Sequence, residues 1–191
     1  MLKKKKTIKT IAIITFGVIF IVFLIIGIIQ CHKINKKYPS PEIIAGDMSK
    51  AIFTNHNNLR VVATEFELRK IDELVDDHSL LFDYDTDSRI ALVKLNVTNI
   101  SNEHEAFDLT SPVLTTNGWK NGLFLELFME LNPNYDLDLD PNESVDIVAP
   151  YVMFDYQFQK NIWKKISNQH FRIFFQVYPE KKYIDLNSSN L

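Results

Sequence analysis

Two runs of alternating aspartates carry the residue types most able to do chemistry in this chain. Asp83, Asp85 and Asp87 in DYDTDSR have the D-x-D-x-D spacing with which a loop wraps a calcium ion. The sixth position of such a loop takes Gly for its sharp turn and the twelfth a bidentate Glu. Here they are Ser88 and Lys94, which excludes an EF-hand. Two readings remain, a looser surface calcium site and a solvated acidic loop, and the second is expected. Asp136, Asp138 and Asp140 alternate with Tyr135, Leu137 and Leu139, as on one exposed strand face. Carboxylates so placed repel one another unless a cation or a basic partner lies between them. These six are the candidate metal ligands, although no metal is expected at either run.

Other chemistry finds less to build on. The histidines at 32, 56, 78, 104 and 170 show neither H-E-x-x-H nor any other close ligand spacing, and the single cysteine, Cys31, leaves a zinc site without thiolates. No G-x-S-x-G elbow is present. Only Gly46, Gly118 and Gly122 lie beyond residue 31, too few for a phosphate cradle. Neither catalytic residues nor a cofactor is expected, and the protein is read as a non-enzyme.

Aromatic residues suggest binding instead. In GLFLELFMEL, Leu123, Leu125, Leu127, Met129 and Leu131 alternate as on a strand, while Leu123, Phe124, Leu127, Phe128 and Leu131 would also make a helical face; read as a strand, Phe124 and Phe128 fall with Glu126 and Glu130 opposite the leucines, and Trp119 and Trp163 flank turns. Large aromatics are mostly core, so sheet or edge packing is their ordinary explanation. Exposed rings rimmed by acids would instead anchor a protein partner. Solvent exposure of Trp119, Phe124, Phe128 and Trp163 separates the two.

The elements that must position these residues follow from hydropathy. Residues 10–31 are uncharged and almost wholly apolar, and at about 1.5 Å per residue they span roughly 33 Å, the thickness of a bilayer's hydrocarbon. A signal h-region is shorter and ends at a small-residue cleavage site, so a retained transmembrane helix is expected. Gln30 before Cys31 argues against lipidation. Five lysines precede the apolar run and three follow it closely, which places the amino terminus in the cytoplasm and the remainder outside. The layout is then a basic tail 1–9, a span 10–31, a linker 32–41 stiffened by Pro39 and Pro41, and an extracellular domain 42–191.

Residues 38–191 hold 13 Lys and Arg against 24 Asp and Glu, a net of −11 that the whole-chain value of −3 conceals. Nucleic acid and anionic headgroups are unfavourable ligands for such a domain. Without a disulfide it must be held by packing alone, as on a bacterial surface.

Its apolar residues recur with period 2, the mark of half-buried antiparallel strands. Ala91, Val93, Leu95 and Val97 share a face; so do Phe171, Ile173, Phe175 and Val177, and Val145, Ile147, Ala149, Tyr151 and Met153. Val62, Phe66 and Leu68 mark another strand. Turn signals fall at Asn99–Asn102, Asn117-Gly118, Asn132-Pro133-Asn134 and Pro141-Asn142, and only residues 155–167 read as a short helix. The fold class is all-β: an antiparallel immunoglobulin-like sandwich behind one transmembrane helix.

The run ALVKLNVTNISNEHEAFDL resembles the strand, Asn-containing turn and strand of bacterial cell-surface immunoglobulin-like domains of unknown function. LDLDPNESVDIVAPYVMF is similar to their turn before a core strand, with Asn142 where Gly is frequent. The lysine-rich start and the closing YPEKKYIDL complete the layout of small anchored proteins of low-GC Gram-positive bacteria. The resemblance implies no established activity. Together these readings give a membrane-tethered, non-catalytic interaction or accessory module, with a protein at the cell surface as its partner and no nucleic acid. The alternative is a calcium-binding or hydrolytic surface protein centred on the Asp runs.

Overall fold

The computed structural model describes residues 2–48, 50–74 and 87–186, without the side chains of 2–14, 55 and 72. Contacts divide the chain into residues 1–40 and 41–191. The first unit is one helix, α1 (Leu2–Lys37). Within it Thr15–Lys37 is long and apolar enough to cross a bilayer. Residues 32–37, expected as linker, continue the helix to Lys37, two residues short of Pro39. Proline disfavours helical backbone in the residue before it, here Tyr38.

The second unit is the predicted sandwich. One sheet joins β2 (Ile52–Thr54), β3 (Leu59–Arg69), β4 (Ser88–Asn99) and β9 (Ser144–Phe154) in that order. The other runs β1 (Glu42–Asp47), β11 (Glu180–Asp185), β10 (Arg172–Gln176), β6 (Val113–Thr116) and β7 (Trp119–Asn121). Two short strands, β5 (Glu105–Ala106) and β8 (Asp138–Leu139), pair separately. All pairs are antiparallel except β1 with β11. Alternation explains the core: Ala91, Val93, Leu95 and Val97 meet Ile147, Ala149, Tyr151 and Met153 beside them and Leu114, Ile173 and Ile184 from the opposite sheet. The Asn117-Gly118 turn has φ of 45° and 80°, so both central residues of the β6–β7 hairpin are left-handed, the twist a two-residue hairpin needs. Asn142 takes φ 64° as its position requires.

Four expectations are corrected. A register shift between Ala63 and Glu65 changes the phase of β3: Leu59, Val61 and Ala63 face the core first, then Phe66 and Leu68, and Val62 lies on the other side. β10 ends at Gln176 after a similar irregularity, and Val177 is 68% exposed instead of continuing the apolar face. The segment GLFLELFMEL is a helix, α2 (Leu125–Leu131), not a strand. Its Leu127 joins Ile71, Ile90 and Leu92 in a second small core on the outer side of the four-stranded sheet. The predicted helix at 155–167 breaks into turns around α3 (Lys160–Trp163).

Two buried polar residues bear on stability. Asn99, fully buried, donates from Nδ2 to the carbonyls of Glu103 (2.7 Å) and Leu139 (2.9 Å) and accepts from Ser101, tying two turns together. The Tyr151 hydroxyl is buried with no hydrogen-bond partner among the described residues, and burial pushes its pKa up. Tyr151→Phe removes that unsatisfied group while keeping the ring. Thermal unfolding of the full chain in detergent should show it unchanged or more stable by about 1 kcal/mol.

Candidate functional site

The β6–β7 hairpin sends Trp119 to one side and Lys120 to the other, and each side gathers a group of residues. On the Trp119 side the ring lies 5.6 Å from Phe158, which lies 5.5 Å from Trp163. The Arg89 guanidinium caps the row, 5.6 Å over the Trp163 ring. Both indoles are satisfied: Trp119 Nε1 donates to Gln157 Oε1 at 3.0 Å, and Trp163 Nε1 to Asp87 Oδ2 at 2.8 Å. Two of the four aromatic candidates are thus brought together, half buried against the core at one end of the sandwich. The other two lie elsewhere. Phe128 is fully buried with the Tyr135 ring edge-on at 4.9 Å, so it is a core residue and cannot be a surface anchor. Phe124 packs half buried on the second core. The helical geometry of α2, which places 124, 127, 128 and 131 inward, accounts for both.

The acidic candidates separate as well. Asp83 and Asp85 lie outside the described residues. Asp87 ion-pairs with Arg89 while accepting from Trp163. Burial alone would raise its carboxyl, but the bonds from Trp163 and Arg89 outweigh this and hold it below its ordinary value of 3.8. A group whose folded pKa is depressed contributes stability above its unfolded pKa and loses it as pH falls through the folded value. Asp87→Asn should therefore flatten the acid limb of a Trp163 fluorescence titration below about pH 4, measured in a Trp119→Phe background. At neutral pH it should cost less than about 1 kcal/mol, because Asp87 itself is exposed.

Asp136, Asp138 and Asp140 are exposed, but they do not line one strand face, since β8 holds only Asp138 and Leu139. Asp136 Oδ1 accepts from the Asp138 N–H at 3.0 Å, and Asp140 Oδ1 lies 3.1 Å from His104 Nε2. Among the described residues no group of three or more His, Cys, Asp or Glu is placed to hold a metal ion.

On the Lys120 side lies a feature the sequence reading missed. Register puts Lys120 beside Thr115 and Thr115 beside Arg172 across the outer face of the five-stranded sheet. Two residues along, Val113 lies beside Phe174 and Phe174 beside Tyr183, whose rings are 5.0 Å apart. Each ring carries a cation: Lys181 Nζ is 5.2 Å over Phe174 and Arg172 is 5.3 Å over Tyr183. Two adjoining cavities of about 560 and 640 Å³ open over this face and share Thr115 and Lys120. The signal was present in HFRIFFQVY, where Arg172, Phe174 and Gln176 occupy the face opposite the core residues. Lys120 and Lys181 join it only through pairing.

A conserved hypothetical protein from Bacillus anthracis is 15% identical, with a TM-score of 0.49 over 72% of this chain and 94% of its own. An uncharacterized beta-sandwich protein from Clostridium difficile 630 is 14% identical, with a TM-score of 0.44 over 78% of this chain and 95% of its own. No curated protein matches the chain. Residues 35–182 match the family described as a domain of unknown function, DUF5028, and the protein belongs to that family.

Proposed function

We propose that this protein is a membrane-tethered, non-catalytic interaction module. Its N-terminal helix spans the membrane with the lysine tail inside, and the sandwich meets a protein partner outside the cell. The observation that carries this reading is the outer face of the five-stranded sheet. Its Phe174 and Tyr183 rings, each under a cation, are half exposed, Phe174 lines the larger open cavity, and among the described residues no helix packs over them. Apolar rings with cations at their rim are the composition of an interface anchor. The span is supported by α1, whose apolar stretch Thr15–Lys37 follows the lysine-rich start.

Two measurements in intact cells test it. External protease should release the sandwich by cutting near Tyr38–Pro41, the non-helical stretch between α1 and β1. Protection of the whole domain would reverse the orientation. A photo-crosslinking residue in place of Gln176, on the sheet's outer face, should give a discrete adduct, whereas one in place of Lys94, on the other sheet, should not. Equal labelling from both positions, or none from Gln176, would remove the interaction reading.

A further inference from the structure

We infer that the groove on the outer face of the five-stranded sheet takes an extended acidic segment of a protein partner, one that alternates carboxylates with apolar side chains. The inference rests on the interaction reading above and gives that partner its chemistry.

The groove reverses the sign of its surroundings. Residues 38–191 carry a net of −11, yet Lys120 and Lys181 line the larger cavity, Lys120, His170 and Arg172 line the smaller, and among the described residues no carboxylate lines either. Among the described residues neither Lys120 nor Lys181 has an ion-pair partner. Asp185 is the register partner of Arg172, engaged by His170 Nε2 at 2.7 Å and 3.6 Å from Arg172 Nε, so Lys120 and Lys181 are the cations left to a ligand.

Spacing then limits what fits. Lys120 and Arg172 stand two strands apart with Thr115 between them, so their stems are separated by about 10 Å. Lys181 lies over Phe174, one residue pair further along the groove. The floor between the cations is apolar, made by Val113 and Phe174, and Gln176 supplies an amide at the side. An extended peptide advances about 7 Å every second residue, so alternating acids reach neighbouring cations through flexible lysine stems. The intervening apolar side chains reach the floor.

The size of the patch separates this occupant from other anions. Charges interact over a screening length of about 8 Å at physiological salt. A duplex or a lipid surface wider than the patch would lie within that length of the domain's excess acids. A single extended segment can stay over the unpaired lysines and the apolar floor.

The test uses the full-length protein in nanodiscs of neutral lipid and a fluorescent peptide alternating glutamate with leucine, read by anisotropy. The glutamate peptide should bind, and a glutamine counterpart should bind about tenfold more weakly or worse. Lys120→Glu with Lys181→Glu should weaken glutamate-peptide binding about tenfold, with the melting temperature unchanged because both side chains stand outside the core, and Lys120→Arg with Lys181→Arg should retain it. Equal affinity for the two peptides, indifference to the double reversal, or tighter binding to phosphatidylglycerol vesicles than to the peptide would overturn the assignment. Salt-sensitive dimers of the full chain that vanish in the double reversal would also overturn it, by making a second copy the occupant. A Gln176 crosslink in cells together with no peptide preference would defeat this inference and leave the interaction module standing. Loss of the crosslink would defeat the module itself.

Discussion

Val93→Asp should abolish the cooperative unfolding transition of the full-length protein. Val93 is completely buried on β4, the strand that pairs along its length with both β3 and β9, and it stands between Phe66 and Ala149 in register. No water reaches it, and the cluster around it is apolar. An unpaired carboxylate there either stays ionised without solvent or takes up a proton and remains an unsatisfied polar group; both routes cost several kcal/mol, about 4 or more. Domain stability is typically only about 5–15 kcal/mol, so the change removes most or all of it. Circular dichroism and thermal melting should show loss of the β signal and of the transition. The neighbouring residue supplies the control. Lys94 points to the opposite face, where its ammonium pairs with Glu65, lowering the Glu65 pKa and being raised in turn. Both partners are exposed, and Lys94→Ser should leave the transition where it is. A folded Val93→Asp protein would mean that the inner face of the four-stranded sheet is misassigned.

That contrast between adjacent residues was legible because a half-buried strand writes its two faces into the sequence with period 2. The faces of β4 and β9, the Asn117-Gly118 turn and the left-handed Asn142 all follow from local rules and agree with the structure. The misread parts depend on nonlocal geometry. A one-residue irregularity in β3 moves Val62 off the core face, and no composition signal marks it. In GLFLELFMEL the leucines fit period 2 as well as the helical set 124, 127, 128 and 131, and tertiary context decides between them. The candidate groove was the least legible, since Lys120, Arg172 and Lys181 come from separate segments and become neighbours only when β6, β10 and β11 pair. Even so, Trp119 and Trp163, singled out from flanking turns, do meet, through Phe158.

The context that makes α2 a helix also gives Asn132 a structural task at the edge of the four-stranded sheet. β9 is the last strand of its sheet, and an open strand edge would present unpaired backbone groups to any passing chain. Here the edge is sealed by groups that are not a strand. Pro150 has no N–H to offer, and its carbonyl accepts from the Phe124 N–H at 2.9 Å. The Val152 carbonyl accepts from Asn121 Nδ2 at 3.1 Å. Val148 is served at both ends by one side chain: its N–H donates to Asn132 Oδ1 at 2.8 Å, and its carbonyl accepts from Asn132 Nδ2 at 2.9 Å. The same Nδ2 reaches the Phe128 carbonyl at 2.7 Å, closing the end of α2. One amide thus acts as a single residue of the missing neighbouring strand, and only Asn provides a donor and an acceptor at that reach. Asn132→Ala leaves the Val148 N–H and carbonyl without partners, and at about 1–3 kcal/mol for each orphaned group the loss should be about 3 kcal/mol. It also reopens the edge, so light scattering of the full-length variant should rise with protein concentration when the wild type's does not. Asn132→Asp sharpens the test, because the ionised carboxylate keeps the bond from the Val148 N–H but faces the Val148 and Phe128 carbonyls without a donor. Protonation restores one donor, so the deficit of this variant should shrink as pH falls below about 5, whereas that of Asn132→Ala should not. Matching pH profiles for the two variants would show that the amide fills space at this edge and does not pair with it.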